Sequence, residues 1–285
     1  AVEVKQGAYI NYKEQNMKFQ RGLKAMLLCL ATSTSAQAAL ITEWGFVNSA
    51  GFTSWVGAGV TPSGGSLYNG VDTWYSQLSW GTGVDNGPQS SFEVISPVVG
   101  SIFTNGPSAN GTTLIHNNFP VFDNGNLQSA QLLDMLLLTP IVPPGPALPA
   151  PTIVFDINFF ETTNTPPVGE LCPDGNPNGV GANVNGCGDI FAIASPLDLV
   201  QSFQLDDFEY TITIGVLGGN ILADDTCTAV GFASGCYGFV TTENLSNTIQ
   251  PFFAITAERI PQVPAPATLA LFGTLLLLLR RLRQH

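Results

Sequence analysis

Between residues 207 and 216 apolar and polar side chains alternate. Phe208, Tyr210, Ile212, Ile214 and Val216 fall on one face, and Glu209, Thr211 and Thr213 on the other. A period of two predicts a half-buried antiparallel strand. Residues 152–161 repeat the pattern, with Ile153, Phe155, Ile157 and Phe159 on one face. Shorter segments of the same kind occur at 41–47, 74–80, 92–103 with a break at Pro97, 112–122, 191–194, 237–242 and 252–260. The Leu-rich run 127–138 has helical propensity, but its setting among strands favours β. Residues 140–151 carry six prolines in twelve positions, which predicts an extended connection rather than a central strand. Turn residues recur about every ten positions and helical periodicity is scarce. The fold class expected is all-β, an antiparallel β-sandwich of jelly-roll type, formed as one domain over residues 39–260.

The two ends follow a different pattern. Met17-Lys-Phe-Gln-Arg-Gly-Leu-Lys is basic, Ala25 to Ala31 is apolar, and Ala36-Gln37-Ala38 is an A-x-A cleavage site with Ala39 as the mature start. Residues 17–38 therefore read as a signal peptide with an N-terminal signal helix. Residues 1–16 are polar, lie upstream of that signal, and read as an extension from a mis-set start codon. At the other end, an apolar run from Leu269 to Leu279 is followed by Arg280, Arg281 and Arg283. This is the order of a single transmembrane helix with a stop-transfer end. A helix from Pro266 to Leu279 reaches only about 20 Å, against roughly 30 Å of hydrocarbon, which suits a temporary anchor better than a permanent one. A plain C-terminal anchor is the alternative.

Together with Val263, Pro264, Ala265 and Pro266, the tail 261–285 resembles the PEP-CTERM sorting signal of Gram-negative bacteria. Ala265 stands where that family has glutamate. The resemblance implies export by the Sec translocon, cleavage by signal peptidase between Ala38 and Ala39, and a transient stay in the inner membrane. Exosortase would then process the tail, leaving the protein at the cell surface or outside the cell. Two internal segments, Leu78-Ser-Trp80-Gly81 and Ile115-His116-Asn117-Asn118, are similar to the Trp-Gly and Thr-His-x-Asn pieces of the THxN group within that family. Ile115 replaces the threonine, whereas His116 and Asn118 match. That group brings no activity to carry over.

Charge sharpens the picture. All nine lysines and arginines lie before Ala25 or after Glu258, while of the 21 acids only Glu3 and Glu14 precede Ala25. Such a body repels nucleic acid and anionic headgroups, and it favours solubility or divalent cations. Of the five cysteines, Cys29 falls in the signal and is no lipobox cysteine, since Leu28 precedes it. The other four, Cys172, Cys187, Cys227 and Cys236, predict two disulfides in an exported chain. Three connectivities exist. Local pairing, Cys172–Cys187 and Cys227–Cys236, is preferred because each pair brackets a Gly/Asn-rich loop.

Candidate chemistry is sparse. Asp174-Gly-Asn176-Pro-Asn178-Gly179 fits the first half of an oxygen-rich calcium loop, and Asp189 is placed to close it from beyond Cys187. Asn185 occupies the twelfth position, so the loop is not an EF-hand. The other reading is a turn region stapled by a disulfide. His116, the one histidine of the exported body, is either a metal ligand or general base, or a structural histidine bonded to nearby backbone. Asp206, Asp207 and Glu209, and the pair Asp224-Asp225, read as solvated strand ends and turns. Trp44, Trp55, Trp74 and Trp80 read as core residues, with sugar stacking as the alternative. No nucleophile elbow, phosphate loop or dinucleotide fingerprint is present, so no catalytic residue is assigned. The leading expectation is a non-enzymatic surface or matrix protein, associated with exopolysaccharide or biofilm and cross-linked through Ca²⁺ if the loop binds it. A carbohydrate-binding module and a secreted hydrolase are the alternatives.

Overall fold

The computed structural model describes residues 38–68, 72–122, 125–149, 152–194 and 200–261. The elements below belong to the compact unit that begins at Leu40. Residues 17–37 of the signal segment, the sorting motif Val263–Pro266 and the apolar tail lie outside the described residues. Among the described residues no helix is long and apolar enough to cross a membrane.

The strands in chain order are β1 (Glu43–Gly57), β2 (Thr61–Tyr68), β3 (Asp72–Trp80), β4 (Thr82–Gly83), β5 (Ser90–Ile95), β6 (Val98–Phe103), β7 (Ala109–Asn110), β8 (Thr113–Asn118) and β9 (Val121–Phe122). They continue as β10 (Leu127–Val142), β11 (Leu148–Pro149), β12 (Ile153–Phe160), β13 (Asp189–Ile193), β14 (Val200–Leu205), β15 (Phe208–Leu217), β16 (Asn220–Ile221), β17 (Tyr237–Thr241) and β18 (Leu245–Arg259). One short helix, α1 (Asp224–Ala229), precedes β17. Nearly all the strands join a single curled, antiparallel sheet in the order β14-β15-β18-β8-β5-β3-β1-β10-β12-β13-β17-β16. The curl comes from long strands that change partners. The start of β1 pairs with β6 and its residue Phe52 with β3, while the start of β18 pairs with β8 and its remainder with β15.

Alternation decides which faces meet. In β15, Tyr210 and Ile212 are buried and Glu209 and Thr213 exposed; in β12, Ile153, Ile157 and Phe159 are buried and Val154 and Asp156 exposed. The ambiguous run is strand β10, paired along its length with β1 and from Ser129 to Asp134 with β12. The proline-rich segment is extended as expected, but its start continues β10 to Val142, and Leu148–Pro149 pairs back on Leu137 and Leu138. Pro140 is accommodated opposite Trp44 beside a register shift in β1, where the ladder is already interrupted. The sequence reading missed β2, β14 and α1, together with the two-residue strands β4, β7 and β16. The first turn of α1 holds Asp224 and Asp225, where the helix dipole favours negative charge.

The core has two main clusters. One gathers Phe52, Leu78, Trp80, Phe92, Phe159 and Phe191, and the other Trp44, Phe46, Tyr210, Phe253 and Ile255. Trp44 and Trp80 are fully buried, which fixes both as core residues. Trp55 is partly buried against the first cluster, and Trp74 is also partly buried. Both disulfides take the local pairing, Cys172–Cys187 and Cys227–Cys236.

A polar knot lies between the clusters. Asp134 Oδ1 accepts from Asn48 Nδ2 at 2.7 Å, and its Oδ2 accepts from the Thr112 hydroxyl at 3.3 Å. Burial outweighs these bonds and raises the Asp134 pKa to about 6 from its usual 3.8. The folded state thus keeps a proton that the unfolded chain releases. The contribution of Asp134 to stability is full below pH about 4 and is lost as pH rises through about 6. Two pKa units correspond to about 3 kcal/mol, which the solvent contact kept by Asp134 reduces to about 1–2 kcal/mol. Urea unfolding of wild type and Asp134→Asn at both ends of that window will show the wild type losing this much more than the variant. Equal losses would remove Asp134 as the source.

Candidate functional site

Strand β8 alternates strictly: Leu114, His116 and Asn118 are buried, while Thr113, Ile115 and Asn117 are only partly so. His116 and Asn118, two residues apart, therefore enter the interior on one face. There they meet one end of the β12–β13–β17 ladder. Phe160 pairs with Ile190 and Asp189 with Thr241, so the next residue after β12, Glu161, arrives beside Asp189. Glu243 follows two residues after Thr241. One carboxylate oxygen from each of Glu161, Asp189 and Glu243 lies within 4.8 Å of the others.

The walls are aromatic. Trp80 stacks on the His116 ring at 5.6 Å, Phe92 approaches it at 4.7 Å and Phe159 meets it edge-on at 5.2 Å. Trp80 Nε1 also donates to Glu161 Oε2 at 2.8 Å. Gly81 (φ +71) permits the turn that follows Trp80: a Cβ there would lie 2.5 Å from the Val121 side chain. The Trp-Gly and His-x-Asn pieces, far apart in sequence, thus converge on one site. His116, Asn118, Asp189 and Glu243 are all 0% exposed, and Glu161 is half-buried.

The hydrogen bonds orient these groups without satisfying them. His116 Nδ1 is 2.8 Å from the Thr241 hydroxyl, and that hydroxyl donates to the Asp189 carbonyl at 3.1 Å. With its proton committed there, Thr241 Oγ1 accepts from His116 Nδ1–H, and Nε2 is left as a bare lone pair. Nε2 makes no hydrogen bond and points to Asp189 Oδ2, 3.9 Å away. Asp189 Oδ1 accepts from the Thr162 amide at 2.8 Å, while Oδ2 has no hydrogen-bond partner. Asn118 donates to the Thr241 carbonyl at 3.3 Å, and its Oδ1 has no partner. Neither carboxylate oxygen of Glu243 accepts a hydrogen bond.

Burial dominates the electrostatics. Desolvation lowers the His116 pKa from 6.5 to about 3. Desolvation, then the charges of Glu161 and Glu243, hold Asp189 well above the usual carboxylate range. Desolvation, then the charge of Glu161, raises Glu243 to about 8, against a smaller lowering by the Asn118 amide. An acid that keeps its proton and a neutral imidazole are the forms that this pocket favours in the absence of a positive charge.

The other sequence-selected residues are divided. Asp174 and Asn176 form a compact turn: Asp174 Oδ1 accepts from the Asn176 amide at 3.0 Å and from Asn183 Nδ2 at 2.9 Å. Asn178 turns away and donates to the Pro166 carbonyl at 2.7 Å. Asp189 does not close that loop, because β13 carries its carboxyl into the interior beside His116. The expected ligand set Asp174, Asn176, Asn178 and Asp189 is therefore not gathered. His116 departs from the structural expectation in one respect, since its bonded partner is a side-chain hydroxyl rather than backbone. Glu161 and Glu243 were missed. Asp207 is 3.5 Å from Arg259 at the β14–β15 turn, away from this site.

The disulfide loop still bears on the site. Cys187 accepts, through its carbonyl, a hydrogen bond from the Thr162 hydroxyl, next to Glu161. Gly186 (φ +134) packs so closely that a Cβ would lie 2.4 Å from the Asn164 carbonyl and 3.2 Å from Glu243 Cγ. The Cys172–Cys187 bridge thereby holds one wall of the acid cluster in place.

The chain matches no protein-family model and no curated protein.

Proposed function

We propose that this is an exported, non-enzymatic protein of the Gram-negative cell surface or extracellular matrix, sorted by exosortase through its tail. On this reading the curled sheet closes as a jelly-roll-like β-sandwich. The observation that carries it is the burial of the chemistry-bearing cluster: His116, Asn118, Asp189 and Glu243 have no exposed surface. A substrate must reach the reacting groups, and no sugar or peptide reaches these. The protein then acts through its surface, which carries acids and almost no bases. Two disulfides are consistent with an oxidising compartment. Trp44 and Trp80 are buried, which weighs against a tryptophan platform for glycans.

Fractionation of cells expressing the full chain tests this reading. The mature body, starting at Ala39, is expected at the surface or in the medium. Removal of residues 261–285 is expected to leave it in the periplasm. A cytoplasmic protein with free thiols, or turnover of a glycan or peptide lost in His116→Gln, would overturn the proposal.

A further inference from the structure

We propose that the buried cluster is a binding site for one first-row divalent cation of the Mn²⁺ or Zn²⁺ class, held by His116 Nε2, Glu161, Asp189 and Glu243, with Asn118 Oδ1 as a further donor. The cluster of acids alone would not carry this. Two neutral groups do: His116 Nε2 and Asn118 Oδ1 are completely buried, lack hydrogen-bond partners and belong to the same centre. Nε2 is aimed at Asp189 Oδ2 across 3.9 Å. An imidazole whose Nδ1 side is held by a hydroxyl, leaving Nε2 bare, is oriented as metal ligands are.

Charge gives the second argument. Carboxylates buried together need a compensating cation or must stay protonated. Between Ala25 and Glu258 the sequence contains no lysine or arginine. The guanidinium of Arg259 lies beside Asp207 and over the Phe208 ring, 5.8 Å from its centroid. The described residues thus offer this centre no other positive charge, and a divalent cation would supply it.

The geometry and the donors select the class. Ligand oxygens spread within 4.8 Å fit around one ion after small side-chain shifts. At bonds of about 2.0–2.2 Å, neighbouring ligand atoms stand about 3 Å apart and opposite ones about 4.3 Å. Calcium takes oxygen ligands, so an imidazole nitrogen in the set favours a first-row ion over calcium. Glu161, the half-buried member, supplies the entry path from solvent. The aromatic wall formed by Trp80, Phe92 and Phe159 excludes water and strengthens the attraction. The site is structural in this account, joining β8 to the β12–β13–β17 ladder.

The test uses the exported protein with both disulfides formed, stripped with EDTA. Adding Mn²⁺ or Zn²⁺ at about a hundredfold over its Kd is expected to raise the melting temperature by about 5–10 °C. The near-isosteric double variant Asp189→Asn/Glu243→Gln is expected to lose that response, while melting no lower than stripped wild type. Pulsed EPR of Mn²⁺-loaded wild type is expected to show ¹⁴N coupling from His116, and it does not depend on any variant folding. A response to Ca²⁺ alone, no response to either metal, a shift that survives in the double variant, or bound Mn²⁺ without ¹⁴N coupling would each overturn the assignment.

Discussion

Trp80→Ala is expected to lower the unfolding free energy by about 3–5 kcal/mol, the upper range for a single core substitution. Trp80 is fully buried and lies 5.2 Å from Phe92, 5.1 Å from Phe159 and 5.6 Å from His116, ring centre to ring centre. Removing the indole opens a cavity in the larger core cluster, where strands β3, β5, β8 and β12 meet. It also removes the Nε1 donor from Glu161, so water and charge rearrange at the acid cluster. Trp80→Phe separates the two effects. It keeps most of the apolar contact and deletes the donor, and is expected to cost about 1–3 kcal/mol. Urea unfolding of the three proteins provides the comparison. A loss below about 1 kcal/mol in Trp80→Ala would mean that the core does not close around this residue.

Removing both disulfides ranks second. The Cys172–Cys187 bridge spans a separation of 15 residues and Cys227–Cys236 one of 9. Loop-closure entropy assigns each about 2.5–3 kcal/mol. For a domain of this size their joint loss is expected to lower the melting temperature by about 10–20 °C. The two bridges act in different places. Cys227 and Cys236 are fully buried with Ile190 and Ala192, and fasten α1 to the back of β13 and β17. Cys172–Cys187 anchors the loop that packs against Thr162 and Glu243. Serine pairs at each bridge, melted separately, test this. The Cys172/Cys187 pair is expected also to weaken the metal response, and the Cys227/Cys236 pair to leave it intact. The reverse order would detach the loop from the site.

Much of this architecture is legible in local sequence, for a physical reason. A half-buried strand needs an alternating pattern, and the runs through Tyr210 and Ile157 show it plainly. The strands that escaped notice lack that pattern: β2 reads Thr-Pro-Ser-Gly-Gly, and β14 alternates only weakly among Gln, Ser and Phe. The six residues of α1 are too few to show helical periodicity, and a disulfide fixes them. The candidate site was half visible. His116 and Asn118 share a face because they are two apart on a strand. Their acidic partners come from three other segments, and only the pairing register of β12, β13 and β17 brings those together. Alternation did hold a clue: Ile153, Phe155, Ile157 and Phe159 point inward, and Glu161 continues that row. An acid on the core face of a strand, in a body whose one base, Arg259, lies beside Asp207, asks for a positive charge from elsewhere. Asp189 was selected for the neighbouring loop because Cys187 places it close in sequence, whereas β13 carries it the other way.

Native mass spectrometry of the exported protein, purified without chelator and compared with its own mass after denaturation, tests the central claim most directly. The account predicts a native mass higher by one Mn²⁺ or Zn²⁺, less the protons that it displaces, with the excess lost on unfolding and absent from Asp189→Asn/Glu243→Gln. Equal native and denatured masses, with no metal taken up after Mn²⁺ or Zn²⁺ is supplied, would contradict it and leave protons alone to neutralise the centre.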